Sequence, residues 1–225
     1  KAFLEALLNT LWYVVAVVVL EVSLALALAV MLKETTMGTA IARVGFYIPV
    51  ILSPVVIGVA WRWMFGSLGV VNAMIESAGG STIPFFSDVN WARVVVVLAS
   101  VWAGAGLAMV MFIGGLNTIP SDIYEAAAID RAGSWYTFFH ITLPLVSPLL
   151  LIALIFRTME AFKTFDIAYI LSTQPTTELL SIKLYKYAFQ EWQTGKSCAL
   201  AYIVLIMVLA ITNIYVKYLN KAKER

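Results

Sequence analysis

The sequence predicts an all-α integral membrane protein in which several helical spans are joined by loops, one of them long and charged. Hydrophobic residues make up 62% of the 225 residues and charged residues only 12%, and the mean hydropathy is +0.91. A soluble domain carries about 25% charged residues. The chain therefore belongs to the membrane class, and its net charge of +2 gives no reason to expect nucleic acid as a partner.

Five apolar segments are long enough to cross a bilayer as helices, since a span needs roughly 20 apolar residues. They lie near residues 11–32, 44–65, 91–116, 145–171 and 197–219. The second segment contains Pro49 and Pro54, which should kink it. Glu21 interrupts the first segment, and we expect it to pair with a group on a neighbouring helix.

The distribution of positive charge predicts the orientation of these spans. Basic residues crowd the end of the chain, at Lys217, Lys221, Lys223 and Arg225. The positive-inside rule then places the C-terminus in the cytoplasm, together with residues 33–43 and 117–144. Five spans put the N-terminus outside, so we expect a further helix before Lys1.

Residues 117–144 form the long charged loop. Asp122 and Glu125 have the spacing of a capping box, in which Asp122 accepts a backbone N–H and Glu125 reaches back. The box predicts a short helix over 123–130 that exposes three small residues, Ala126, Ala127 and Ala128. A second helix is predicted over 135–141, and Leu143-Pro144 should end it. The spacing alone is compatible with a docking surface for a partner or with a helix pair lying on the lipid headgroups.

The same loop resembles the EAA signature of ABC-importer permeases, E-A-A-x3-G-x9-I-x-L-P. Six residues match in register, namely Glu125, Ala126, Ala127, Ile141, Leu143 and Pro144. Arg131 stands where the signature has glycine. If that glycine serves a turn with positive φ, we expect the turn to move to Gly133.

Further motifs resemble the sugar and glycerol-phosphate subfamily, which is maltose-permease-like. In the region of the second span they include Pro49 and Pro54, followed by the Trp61-Arg62-Trp63-x-Phe65 and Gly69-x-x-Asn72 patterns. The end of the fourth span matches at Phe162, Phe165, Asp166, Tyr169, Leu171 and Pro175, and the approach to the last span matches at Tyr185, Ala188, Phe189, Gly195 and Ala199. The resemblance thus extends over nearly the whole chain.

The resemblance implies a polytopic helical permease core, a single domain over 1–225, with 117–144 as its cytoplasmic coupling loop. The five spans would be the last five of six or more, in a bacterial-type inner membrane. The implied partners are a homologous second permease, two cytoplasmic ATPase subunits and an extracytoplasmic solute-binding protein. The residues implied in coupling to the ATPase are Asp122, Tyr124, Glu125, Ala126, Ala127, Asp130, Arg131 and Gly133.

The fourth span carries the candidates for solute contact. Phe162, Phe165, Asp166 and Tyr169 share one face of a continuous helix, where rings could pack on a sugar and a carboxylate could accept hydroxyl hydrogen bonds. Plain packing is the alternative. Arg157, Glu160, Lys163 and Asp166 follow at steps of three with alternating sign, so neighbouring pairs can meet on a helix. Such charges face a polar interior or a pathway, or they form a self-neutralising ladder that fixes helix packing, which is favoured for Arg157 and Glu160.

The sequence gives no indication of an enzyme. One cysteine, Cys198, and one histidine, His140, cannot supply the about four ligands of a structural zinc site. Gly195-Lys196-Ser197 lacks the earlier glycine of a phosphate-binding loop, since Gln190 stands there. We expect no cofactor or metal in this chain, with ATP and Mg²⁺ on the partner ATPase. A stand-alone ion-coupled carrier is the alternative function. Tyr185, Tyr187 and Trp192 are predicted to form an aromatic belt at the outer interface.

Overall fold

The computed structural model describes residues 2–172 and 177–223, with side chains as far as residue 220. Pro175 and Arg225 lie outside the described residues. The described residues are helical and contain no strand. The helices in chain order are α1 (Ala2–Met31), α2 (Met37–Ile51), α3 (Pro54–Met64), α4 (Val70–Ser77), α5 (Val89–Leu116), α6 (Ser121–Ile129), α7 (Ser134–Thr137), the π-helical segment π1 (Phe138–Thr142), α8 (Leu143–Lys163), α9 (Asp166–Leu171), α10 (Leu180–Tyr185), the π-helical segment π2 (Lys186–Gln190) and α11 (Thr194–Lys223).

Four helices within the described residues are long and apolar enough to cross a membrane, covering 2–31, 89–116, 134–163 and 194–220. A fifth candidate is the pair α2 and α3, which is bent by 101°. Pro54 is the first residue of α3 and restricts Ser53 to an extended conformation, which breaks the helix there. The kink predicted from the two prolines is therefore a sharp bend.

Helix α5 lies at the centre of the bundle and contacts α1, α2, α3, α8 and α9. Three of its glycines allow close approach. A Cβ at Gly106 would overlap the α2 backbone at Phe46, and one at Gly115 would overlap the Leu149 side chain of α8. A Cβ at Gly104 would overlap the guanidinium of Arg157. The sequence Ala103-Gly104-Ala105-Gly106 therefore sets how closely two neighbouring helices pack on α5.

Helices α1 and α5 run parallel. Near their first turns Arg93 donates a 2.6 Å hydrogen bond to the Asn9 side chain, and further along Tyr13 donates to the Ser100 hydroxyl at 2.8 Å. At the other end of α1, Arg43 of α2 donates a 2.9 Å hydrogen bond to the carbonyl of Leu32, which has no partner within the helix. Equivalent ends of α1 and α5 therefore lie on the same side of the bundle.

The loop between α3 and α5 is held together by one buried amide. The Asn72 side chain donates to the carbonyls of Gly66 and Ile83, both at 3.1 Å, and accepts from the Ile83 N–H at 2.9 Å. These bonds tie the loop residues on both sides of α4 to that helix and give the Ile83 N–H its acceptor. The Gly69-x-x-Asn72 pattern thus has a structural role.

The predicted fourth span is wrong at both ends. Its helix does not restart at Leu143-Pro144 but runs on from Ser134, because π1 precedes Pro144 and Leu143 bonds back to the Phe138 carbonyl five residues earlier. This wider turn makes room for the proline ring. At the far end α8 stops at Lys163, and the chain breaks at Thr164 before α9.

Candidate functional site

The short helix α6 projects from the end of α5 and begins earlier than predicted. Pro120 occupies the N-cap, and no side chain caps the helix. Asp122 is therefore the second helical residue and Glu125 the fifth, so neither can form the predicted capping box. Both carboxylates are exposed instead. Asp122 lies in the first turn, where the positive end of the helix dipole stabilises its negative charge.

The turn that ends α6 lies at Arg131, contrary to the expectation that it had moved to Gly133. Arg131 has a φ of 55°, whereas Gly133 has a φ of −67°. The Ala132 N–H donates to the Ala127 carbonyl at 2.9 Å, and the Arg131 N–H donates to the Ala128 carbonyl at 3.1 Å. These two bonds define a Schellman motif, whose left-handed residue is usually glycine. The arginine therefore takes the glycine conformation of the signature at a steric cost.

The residues predicted for coupling divide into two sets. Six of them are exposed, namely Asp122, Glu125, Ala126, Asp130, Arg131 and Gly133. Ala127 is buried, so the predicted row of three exposed alanines reduces to Ala126 and Ala128. Tyr124 is half-buried, and its hydroxyl lies 3.2 Å from that of Thr142 in π1. The ammonium of Lys33 lies 4.4 Å from the Tyr124 ring centroid, so this ring also contacts the residues that follow α1.

Exposed aromatic rings continue the surface beyond α6. Trp135 stacks on Phe139 with 5.8 Å between ring centroids, and Tyr136 stacks on His140 at 4.2 Å. Ile129 at the end of α6 is 82% exposed. The sequence predicted a helix here but not that its aromatic rings are exposed.

The four residues predicted for solute contact do not share one helical face. Phe162 is buried in the core of the bundle, whereas Asp166 is exposed at the start of α9. The break at Thr164 separates them. Phe165 and Tyr169 do stack, with 5.0 Å between centroids.

An aromatic cluster forms around that stacked pair. The Tyr185 ring lies 4.9 Å from Phe165, and the Phe189 ring lies 5.2 Å from Tyr185. Gln190 donates to the Tyr169 hydroxyl at 3.4 Å. Tyr185 therefore packs in this cluster of rings, and its place in an aromatic belt at the outer interface stays a prediction. Trp192 is exposed, and Tyr187 lies between the ammonium groups of Lys183 and Lys196.

The charged residues of α8 form a ladder only in part. Arg157 pairs with Glu160 one turn away and with Glu21 on α1, the latter at 2.5 Å. Glu21 thus has the interhelical partner expected from the sequence. Lys163 and Asp166 form no ion pair among the described residues, because the helix ends between them. The Gly104 position on α5 leaves room for the Arg157 guanidinium.

A second polar cluster joins the α9–α10 connection to the start of α1. The Glu178 carboxylate lies 2.7 Å from the Lys186 ammonium and 3.6 Å from that of Lys183. Asn9 donates to the Glu178 carbonyl at 3.4 Å, and Thr10 accepts from the Leu180 N–H at 2.9 Å. The sequence offered no periodic signal for this packing, since the partners are about 170 residues apart in the chain.

Comparison with known proteins decides the family. The model of the family described as "Binding-protein-dependent transport system inner membrane component" matches residues 3–225. The chain belongs to this family. It is therefore an inner-membrane permease subunit of a binding-protein-dependent importer, and the alternative of a stand-alone carrier is wrong.

Curated relatives of this permease cover most of the chain. It is 37% identical over 224 residues to the probable ABC transporter permease protein YesP of Bacillus subtilis, which covers 96% of this chain and 72% of the relative. The trehalose/maltose transport system permease protein MalF of Thermococcus litoralis is 32% identical over 88% of this chain and 68% of its own. The lactose transport system permease protein LacF of Rhizobium radiobacter is 29% identical over 99% of this chain and 77% of its own.

Solved structures share the fold of this permease. A chain of a bacterial ABC transporter that imports the acidic polysaccharide alginate superposes with a TM-score of 0.87 at 22% identity, covering 98% of this chain and 80% of that one. An inward-facing form of the MetNI methionine ABC transporter superposes with a TM-score of 0.68 at 16% identity, covering 97% and 95%. The all-helical permease fold predicted from the sequence is confirmed.

Proposed function

We propose that this permease forms half of the translocation path for a sugar, oligosaccharide, polyol or glycerol-phosphate. A homologous second permease would supply the other half, and an extracytoplasmic binding protein would deliver the solute. Two cytoplasmic ATPase subunits would drive transport. The trehalose/maltose and lactose transport proteins among the relatives support the solute class.

The observation that carries this proposal is the exposed helix α6 between two spans. It presents two carboxylates and two small side chains outward, at Asp122, Glu125, Ala126 and Ala128, while Tyr124 fixes its inner side. Small exposed residues allow a partner surface to approach closely. We infer that α6 and the exposed Asp130, Arg131 and Gly133 dock on an ATPase subunit. Ala127 supports this surface from beneath.

We propose that α6 and the C-terminus both face the cytoplasm. Helix α11 starts beside the start of α1, since Leu200 packs with Ala6 and Leu180. It therefore ends on the side where α1 ends and where Lys33 contacts Tyr124 of α6. The positive charges that follow Lys217 support the cytoplasmic assignment of that side.

We also propose that the chain itself catalyses no reaction and binds no cofactor. Hydrolysis of ATP, with its Mg²⁺, would take place on the partner ATPase. The residues described here include no cluster of three or more histidine, cysteine or carboxylate side chains placed to hold a metal ion. Purified permease without its partners should hydrolyse no ATP, and hydrolysis should appear when the ATPase subunits are added.

A bulky charge on α6 tests the docking surface. We expect Ala126→Arg to detach the ATPase subunits during purification and to abolish ATP-driven uptake. The matched control is Ala73→Arg, since Ala73 is an exposed alanine on α4, at the other end of the bundle. Unchanged copurification and uptake in Ala126→Arg would overturn the docking proposal.

Residues Phe162, Phe165, Asp166 and Tyr169 remain the proposed lining of the solute path, with Phe162 acting by packing behind the others. The exposed Asp166 carboxylate and the stacked rings of Phe165 and Tyr169 support this role. We expect Asp166→Ala to lower uptake of the solute carried by the binding protein without loosening the ATPase. The control is Glu76→Ala on α4, another exposed carboxylate. Normal uptake in Asp166→Ala would contradict a role in the path.

A further inference from the structure

The residue that ends α6 carries a side chain that its own backbone conformation disfavours. Arg131 has a φ of 55°, a left-handed conformation that glycine adopts without steric cost and a residue with a Cβ does not. The two hydrogen bonds of this turn join backbone groups, so a glycine would form them equally well. The arginine side chain therefore contributes nothing to the turn itself.

The guanidinium of Arg131 is exposed, and within the described part of the chain no ion pair, hydrogen bond or ring contact engages it. Asp130 precedes it and is exposed as well, but no ion pair joins the two side chains. Backbone strain of this kind clusters at functional sites such as ligand clamps and switch regions. The contact that accounts for this arginine is therefore expected on another molecule.

A cleft of about 450 Å³ lies beside Arg131. Its lining includes Asp130, Arg131, Tyr136 and Ile141, together with small residues that leave room between them. A side chain of a docked protein fits this volume. A carboxylate that enters the cleft meets the guanidinium, whereas a glycine at position 131 would present only backbone there.

The cleft lies on the aqueous side of the lipid headgroups. Arg157 packs against Gly104, which is near the middle of the spanning helix α5. Ser134 begins the continuous helix that contains Arg157 and precedes it by 23 residues, which is about 34 Å at 1.5 Å per residue. Half a bilayer with its headgroups measures about 20–23 Å, and a helix tilt of about 40° would still leave about 26 Å. A soluble protein, rather than lipid, therefore reaches Arg131.

The charges of this surface follow a fixed order. Arg131 is the one basic residue in the stretch 121–133, which also carries the carboxylates of Asp122, Glu125 and Asp130. The surface is thus acidic in net charge, with a single cation at its end. A partner that matches it needs basic groups opposite the carboxylates and an acidic group opposite Arg131, because like charges brought together in an interface are strongly unfavourable.

We propose that Arg131 determines which ATPase subunit the permease accepts, because its guanidinium pairs with a carboxylate that the ATPase inserts into the cleft beside α6. A guanidinium holds a carboxylate through two parallel hydrogen bonds, which gives the pair a defined geometry. An ATPase with a basic or apolar residue at this point is disfavoured, since docking would leave the guanidinium desolvated without a partner. The inference rests on the proposed docking of α6 and assigns partner choice to one residue.

Variants that keep the backbone cost constant test the charge alone. Arg131→Lys, Arg131→Gln and Arg131→Glu all carry a Cβ and so retain the strain of the left-handed turn. The permease, purified together with its second permease in detergent without phospholipid, is titrated with its own ATPase subunit. We expect Arg131→Gln to weaken the affinity about tenfold and Arg131→Glu to weaken it more, while Arg131→Lys lies between Arg131→Gln and the unchanged permease.

Arg131→Gly separates the ion pair from the turn. It should slow hydrogen exchange at the Ala132 amide and still weaken ATPase binding as much as Arg131→Gln does. If Arg131 served only the turn, the glycine variant would bind at least as tightly as the unchanged permease. Lys196→Gln, at an exposed lysine where α11 begins, is the control and should leave the affinity unchanged. Added salt should weaken binding of the unchanged permease more than that of Arg131→Gln, because it screens the pair.

Each outcome decides a different point. Equal affinity of Arg131→Gln and the unchanged permease would overturn the proposal. A charge effect that appears only when anionic phospholipid is added would assign the guanidinium to a lipid headgroup and would also overturn it. A change from an acidic residue to lysine in the ATPase should restore the uptake lost in Arg131→Glu, and failure of every such change would contradict the pair. If the unchanged permease binds no ATPase subunit, the proposed docking function fails instead.

Discussion

The guanidinium of Arg157 lies 2.5 Å from the carboxylate of Glu21, although 136 residues separate them in the chain. The pair joins α8 to α1 in the interior of the bundle. Glu21 is fully buried, and among the described residues Arg157 is the one basic side chain paired with it. The negative charge of Glu21 on α1 is therefore stabilised by α8, a helix that comes much later in the sequence.

Loss of Arg157 should strongly destabilise the permease. We expect Arg157→Met to cost about 3 kcal/mol, because it leaves a buried carboxylate without its partner. Glu160→Gln removes the more exposed partner and should cost less than about 1 kcal/mol. Thermal unfolding in detergent measures both. The double variant Glu21→Leu with Arg157→Met should recover part of the stability lost in Arg157→Met. Equal stability of Arg157→Met and Glu160→Gln would contradict this account.

Replacing Arg131 with glycine should stabilise the end of α6. The left-handed conformation costs a residue with a side chain about 1–2 kcal/mol, so Arg131→Gly should gain about 1 kcal/mol. Hydrogen exchange at the Ala132 amide reports this turn directly. Gly133→Ala is the matched control and should have little effect, since Gly133 has a φ of −67° and no atom within reach of a Cβ. Faster exchange in Arg131→Gly would refute the prediction.

The two glycines Gly106 and Gly114 on α5 should respond oppositely to alanine. Gly106→Ala forces a Cβ into the α2 backbone and should destabilise the fold by about 1–3 kcal/mol. Gly114→Ala meets no atom within 4 Å and should be neutral or gain up to about 1 kcal/mol in helix propensity. Thermal unfolding of the two variants side by side separates packing from propensity. Similar shifts in both would mean that α2 does not approach α5 this closely.

The hydroxyl of Tyr124 should contribute to coupling rather than to folding. Tyr124→Phe keeps the ring against Lys33 but removes a hydrogen bond to Thr142 worth about 1 kcal/mol. We expect fewer solute molecules imported per ATP hydrolysed, because α6 is then held less firmly to π1 and α8. Tyr136→Phe, on an exposed ring of the same loop, is the control. If Tyr124→Phe imports as many solute molecules per ATP hydrolysed as the unchanged permease, this hydroxyl has no role in coupling.

The EAA loop illustrates how far the sequence carried the prediction. The register of Glu125, Ala126 and Ala127 identified the loop and the family, because these motifs are local. The same reasoning placed a capping box at Asp122 and moved the turn to Gly133, and both were wrong. Pro120 at the N-cap starts the helix two residues earlier, and the hydrogen bonds of Ala132 and Arg131 hold the turn where the signature has its glycine.

The fourth span shows the opposite limit. Its apolar length predicted a helix, but a face shared by Phe162 and Asp166 required the helix to continue past Lys163. The structure breaks it at Thr164, whose carbonyl accepts from the Ser181 hydroxyl at 2.6 Å. Such a break depends on a segment that is distant in sequence, so hydrophobic periodicity does not reveal it.

The sequence alone determined the membrane class, the apolar segments, the kink at Pro54 and the family, since these depend on composition and on residues close together in the chain. Only the tertiary structure decided that Ala127 is buried, that Tyr185 joins Phe165 and Tyr169, and that Arg157 neutralises Glu21. The physical reason is that burial and charge pairing are properties of helices in contact. A residue's own neighbours in sequence do not specify which helix it will meet.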